Sequence, residues 1–175
     1  MKIKKVIYTV LLIIWLLVIF LFSNQTASKS QSTSDKVASD IVDVVETVTK
    51  NEIKKDKKEN IIENTRFLVR KTAHFTLYFI LGIIVYLLFT SYGVKKILFY
   101  SILFCFLYAC SDEIHQLFLD GRTAKVLDVC IDTCGSSLAI ISLFYLQNLI
   151  KSTAKIKNML KKVNIHKVFR IKFSK

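Results

Sequence analysis

Eight ionisable residues stand in or beside apolar stretches of this chain, where a membrane-crossing helix has least use for charge. Arg70, Lys71 and His74 open one apolar run, Asp112, Glu113 and His115 close the next, and Asp128 and Asp132 lie inside the last. A charged side chain at membrane depth costs about 2.5–3.5 kcal/mol on insertion scales, so such residues face a bundle interior and mark a site. A mixed His/Asp/Glu/Arg set suits gripping an anionic headgroup and moving protons on it. Arg70, Lys71 and Arg122 are the candidate anion-binding residues. His74 or His115, polarised by Asp112 or Glu113, are the candidate catalytic residues, and Tyr78, Gln116, Asp128 and Asp132 are expected to support them.

Two other readings compete. A network of ion pairs could merely fix helix register. Two histidines fit that use poorly, because imidazole charge is marginal near neutral pH. A divalent metal held by Asp112, His115 and Asp128 or Asp132 is the other reading. The sequence has no H-E-x-x-H spacing to support it, so neither a metal nor a cofactor is expected. Binding and catalysis are both open to such a residue set.

The elements that must position these residues follow from composition. The chain has 175 residues, 53% of them hydrophobic, and no proline. That is more apolar side chain than the surface of a soluble domain of this size can hide. Spans are expected at about 6–22, 73–90, 96–112 and 126–150, around an outer loop at 23–72 and a basic tail at 151–175. Each approaches the ~20 apolar residues that cross a ~30 Å hydrocarbon core. The third is apolar only to Cys110 and carries a polar last turn. The expected fold is an all-α membrane protein, a four-transmembrane-helix bundle with an extracytoplasmic amphipathic helix.

Charge sets the expected orientation. Lys2, Lys4 and Lys5 flank the first span, Lys95 and Lys96 follow the second, and the tail from 151 carries nine Lys or Arg and no acid. Short basic flanks stay cytoplasmic, so both termini are expected inside a multi-pass protein of the bacterial cell membrane. The 23–72 segment holds eight acids against its lysines, and long segments cross largely regardless of charge. The net charge of +13 is thereby read as topology anchors and anionic-lipid contacts, with no nucleic-acid partner. Residues 1–22 resemble a signal peptide, but the apolar run is long and Gln25 fits a cleavage site poorly, so a retained anchor is expected. The four cysteines, without C-x-x-C spacing, are read as small lipid- or neighbour-facing residues.

Within 23–72, the Ser/Thr/Gln-rich stretch to Ser34 reads as a solvated linker. Residues 35–50 read as an amphipathic helix whose apolar face is Val37, Ile41, Val44, Val45 and Val48, lying on the membrane surface or on the bundle. Residues 51–60 read as a charged loop. Short turns at 91–95 and around Gly121 make the second, third and fourth spans successive antiparallel neighbours.

The charged residues also fall on coherent faces. Asp128, Asp132, Gly135, Ala139 and Ser142 form one stripe; Ser101, Cys105, Tyr108, Asp112 and Gln116 another; Arg70, His74, Tyr78 and Leu81 a third. Cations open the second span and carboxylates close the third, each the wrong sign for the local helix dipole. Neighbouring helices that each break a local rule are expected to compensate one another, with Arg70 meeting Asp112 or Asp132.

The strings Arg70-Lys71-Thr72-Ala73-His74-Phe75, Ser111-Asp112-Glu113-Ile114-His115-Gln116, Gly121-Arg122-Thr123 and Asp132-Thr133-Cys134-Gly135 occur in that order after Phe22-Ser23-Asn24-Gln25. Together they resemble the VanZ-like family of bacterial membrane proteins over about residues 22–147. The chain reads Leu119-Asp120-Gly121 where a proline would be looked for, which puts only the turn's shape in doubt. The resemblance implies a multi-pass helical protein associated with low-level resistance to the glycopeptide teicoplanin, or with cell-envelope homeostasis. Its partners would be membrane lipids, a lipid-linked wall precursor or the glycopeptide itself. A non-catalytic adaptor, acting through the amphipathic helix on antibiotic access or a partner protein, is the competing function.

Overall fold

The computed structural model describes residues 2–25, 27–49 and 55–172, and the side chains of these except 27, 55, 56 and 160–172. The described residues form five helices and no strand: α1 (Lys2–Ser23), α2 (Ala27–Thr49), α3 (Lys55–Tyr92), α4 (Ile97–Gln116) and α5 (Val126–Lys172). Four of them, all but α2, are long and apolar enough to cross a membrane. The molecule is an all-helical membrane bundle with one additional amphipathic helix. The chain divides into two compact units, Met1–Ile140 and Ile141–Lys175, and α5 passes through both. The second unit, as far as it is described, is the helical continuation of α5.

In the first unit α3 is the central element. It packs on α1, α2 and α4, and it meets α5 at two glycines. A Cβ on Gly82 would stand 2.5 Å from the Ser136 carbonyl oxygen, and one on Gly135 would stand 2.5 Å from the Phe75 carbonyl oxygen. Such approach of two backbones is how helices associate in lipid, where no hydrophobic effect drives them together. Buried around this axis are Tyr78, Leu81, Val85 and Tyr86 of α3, Cys105 and Ala109 of α4, and Ile19 of α1. Two interhelical hydrogen bonds hold α1: Trp15 Nε1 donates to the Leu77 carbonyl and Tyr108 Oη to the Leu16 carbonyl, both at 2.9 Å. Bonds of this kind contribute about 0.6 kcal/mol each in a bilayer. The other faces of α1 expose Val6, Val10, Leu17 and Leu21, a surface suited to lipid.

Two parts of the 23–72 segment differ from the sequence reading. Of the stretch to Ser34, Ser23 is the buried last residue of α1 and Ala27 already begins α2, so it is not a solvated linker. Part of the charged 51–60 segment is helical too, since α3 starts at Lys55 and continues into the span without a break. Residues 51–54 lie outside the described residues. Pairing explains both. Lys58 bridges Asp43 and Glu46 of α2 at 2.9 and 2.7 Å, and Arg66 pairs with Asp35. The polar first half of α3 thus forms an antiparallel hairpin with α2. At about 1.5 Å per residue, the 38 residues of α3 come to about 57 Å, nearly twice a ~30 Å hydrocarbon core.

The α3–α4 turn ends α3 in a Schellman motif: Val94 N donates to the Phe89 carbonyl and Gly93 N to the Thr90 carbonyl, at 3.0 and 3.1 Å. Gly93 takes φ 71° there, the left-handed conformation that favours glycine. Lys96 also adopts φ 53° as the cap of α4, without a side-chain capping bond.

Candidate functional site

One end of the bundle collects the end of α1, residues 69–78 of α3, the last turn of α4 and the first turns of α5. The α3–α5 interface carries a ladder of two rungs, each a basic side chain of α3 on an aspartate of α5. Lys71 pairs with Asp128, and one turn further His74 Nδ1 lies 3.4 Å from Asp132 Oδ1. Asp128 and Asp132 are buried, with 1% and 0% exposure. The stripe containing both aspartates faces α3, while Cys130 and Cys134 point outward and are exposed. Lys71 is thereby committed to a carboxylate, with its ammonium also 5.3 Å from the Phe67 ring centre.

The other predicted residues separate into distinct surroundings. Asp112 is buried and accepts a bond from Gln116 Nε2 at 3.4 Å. Glu113 accepts the backbone N–H of Lys125 at 2.8 Å, tying the last turn of α4 to the segment that leads into α5. His115 packs on Phe20, ring centres 4.9 Å apart and planes inclined by 31°, with Nε2 buried and without a hydrogen bond. Arg122 stands in the α4–α5 connection, after a turn in which Gly121 has φ 72°. Burial first, and then the nearby Arg70 charge, draws the Arg122 guanidinium below its ordinary pKa.

Arg70, His74, Tyr78, Asp112 and Arg122 converge on a cavity of about 260 Å³. Around them the wall is mostly apolar, built from Ile19, Phe22, Val69 and Leu77 among others. Neither arginine makes an ion pair among the described residues, and each has a buried Nε without a hydrogen-bond acceptor. Tyr78 is 1% exposed, and its hydroxyl is likewise buried and unpartnered. Lys71, Glu113 and His115 are not on the cavity wall. No group of three or more His, Cys, Asp or Glu among the described residues is arranged to hold a metal ion.

The sequence reading placed α3 cations against carboxylates, and the structure pairs them with α5: Lys71 and His74 take Asp128 and Asp132. Arg70 instead shares the cavity with Asp112. Ser23, Ser30, Thr33 and Ser34 also line the cavity, and no role had been expected for them. A signal was present: Ser30, Ser34, Val37 and Ile41 follow one another at i, i+4, i+7 and i+11, one stripe of a helix.

Fold and site together define a class: a polytopic helical membrane protein with a partly buried, cation-rich pocket at one end of its bundle. Across residues 8–150 the sequence matches the VanZ/LLP1 family, a family associated with antibiotic resistance, and the chain belongs to it. The match includes every residue of the ladder and the cavity and ends before the lysine-rich segment from 151. Neither a curated protein nor a solved structure matches the chain.

Proposed function

We propose that this protein contributes to resistance against glycopeptides of the teicoplanin type, or to envelope homeostasis, by binding the anionic headgroup of a membrane lipid or lipid-linked wall precursor. The site would face the outer leaflet, with the termini and the turn at Lys95–Lys96 in the cytoplasm. The observation that carries this reading is the pair of guanidiniums on one cavity wall. Arg70 and Arg122 stand close enough to repel each other, and neither is in an ion pair among the described residues, although Asp112, Glu113 and Asp128 act on Arg122 from further off. Each keeps a buried donor unused there. Placing like charges together costs free energy, and an anion between them returns it. The cavity's size supports a headgroup as ligand: about 260 Å³ falls below the ~300–1,000 Å³ of sites that enclose drug-sized molecules. An intact glycopeptide would not fit. His74, oriented by Asp132, is the group best situated to carry a proton on a bound headgroup.

The test compares teicoplanin tolerance, and retention of anionic lipid by the purified protein, between the natural chain and the R70Q and R122Q variants. Loss of both properties at unchanged membrane abundance is expected. Full tolerance and unchanged lipid retention in R70Q/R122Q would overturn the reading.

The adaptor reading has one observation in its favour: Val37, Ile41, Val44 and Val48 of α2 are exposed, an apolar stripe free to meet a partner. Under that reading, serine at these four positions lowers tolerance while R122Q leaves it intact.

A further inference from the structure

Besides the two guanidiniums, the cavity contains groups that an anion alone does not explain. Asp112 lies on its wall, and a carboxylate only accepts hydrogen bonds. It accepts from Gln116 within the bundle, and towards the cavity it repels a phosphate and suits a ligand that also has donors. The Tyr78 hydroxyl lines the same cavity, buried and without a partner among the described residues, and Ser23 lines it beside Asp112. A buried hydroxyl left unpaired costs about 1–3 kcal/mol, a cost that a ligand hydroxyl would remove. The donors required are hydroxyls and not an ammonium, because two guanidiniums outweigh the single carboxylate on the wall and disfavour a cation.

The cavity's rim shows how such a ligand is attached. Phe22 of α1 and Val37 of α2 line it and are also exposed on the outside, 56% and 41%. From Val37 the apolar stripe continues outward through Ile41 and Val44, also exposed. A soluble ligand needs no greasy rim, whereas the chains of an amphiphile need one to lie on.

We propose that the cavity selects a polyol-phosphate headgroup, its phosphate on Arg70 and Arg122 and its hydroxyls on Asp112, Tyr78 and Ser23, with the lipid's chains leaving over Phe22 and Val37. This specificity rests on the anion-binding reading above and adds a hydroxyl requirement to it. The experiment uses the full chain in detergent, with native mass spectrometry of lipids retained from equal mixtures of phosphatidylglycerol, phosphatidic acid and phosphatidylethanolamine. Phosphatidylglycerol is expected to be retained roughly tenfold over phosphatidic acid, equivalent to about 1.4 kcal/mol. Y78F and D112N should bring that ratio towards unity while phosphatidic acid stays bound. Equal retention of the two anionic lipids by the natural chain, or a preference for phosphatidylethanolamine, would overturn the hydroxyl requirement and leave the anion reading standing. Competition by free glycerol 1-phosphate as strong as by the lipid would overturn the role of the apolar rim. Unchanged retention of every lipid in R70Q/R122Q would remove the anion reading itself.

Discussion

At Arg122 a guanidinium is held in a half-buried connection with a like charge beside it. A hydrogen bond to a charged group contributes about 1.5–3 kcal/mol, so R122Q is expected to weaken retention of anionic lipid about tenfold or more, as read by native mass spectrometry. Lys71 behaves differently, because its ammonium is paired with buried Asp128. K71A would leave that carboxylate alone and should destabilise the fold by about 3–5 kcal/mol. The K71M/D128L double replacement should recover most of this, measured as thermal unfolding in detergent. Y78F removes a buried hydroxyl that has no partner among the described residues and should raise the same unfolding temperature, because the cost of leaving that group unpaired goes with it. The types and spacing of these residues were legible in the sequence. Their pairing was not, because Arg70 and Lys71 are adjacent and about 100° apart around the helix, so the rotation of α3 against α5 decides which of them reaches Asp128. Glu113 shows the same limit: its acidity is visible, but its bond to the Lys125 backbone depends on how the connection after α4 folds back.

At the level of elements, the α3–α5 contact and the turn after α3 use glycine for unrelated reasons. At Gly82 a methyl group would press on the Ser136 backbone, so G82A should force the helices apart. The expected cost is about 1–3 kcal/mol, with the Lys71 and His74 rungs loosened along with the interface. At Gly93 a methyl group would meet nothing within 4 Å, but φ is +71°. G93A should then cost about 1–2 kcal/mol through the backbone alone. Crosslinking between cysteines introduced at facing positions of α3 and α5 separates the two cases: it should fall in G82A and persist in G93A. In α2 the periodic apolar face was readable as Val37, Ile41, Val44, Val45 and Val48, yet these residues are exposed. The face turned towards α3 holds Ala38 and Val42, 0% and 3% exposed, with Asp35 and Glu46 paired alongside. Small side chains let two helices approach, and ion pairs to Arg66 and Lys58 fix the rotation. Periodicity locates an apolar stripe without saying whether protein or lipid covers it.

For the whole molecule, the lysines that flank short connections predict its sidedness. In a cysteine-free background, D40C is expected to react with an impermeant maleimide added to intact cells, and K95C only after permeabilisation. The reverse pattern would put the cavity on the cytoplasmic side and remove an outer-leaflet ligand. Lys5 lies 4.6 Å from the Tyr92 ring, which places the lysine-rich start of α1 beside the end of α3, at the opposite end of the bundle from the ladder. Composition and hydropathy determined by themselves that the chain is helical and has four segments apolar enough to cross a membrane, because a bilayer admits few ways to satisfy backbone polar groups. Spacing likewise determined which residue types share a helix face. Only the tertiary structure decided which basic side chains were paired with carboxylates, at Lys71 and His74, and which were in no ion pair among the described residues, at Arg70 and Arg122. That outcome depends on where Gly82 and Gly135 let backbones touch and on how α2 folds over the rim, and both are contacts between segments far apart in the chain.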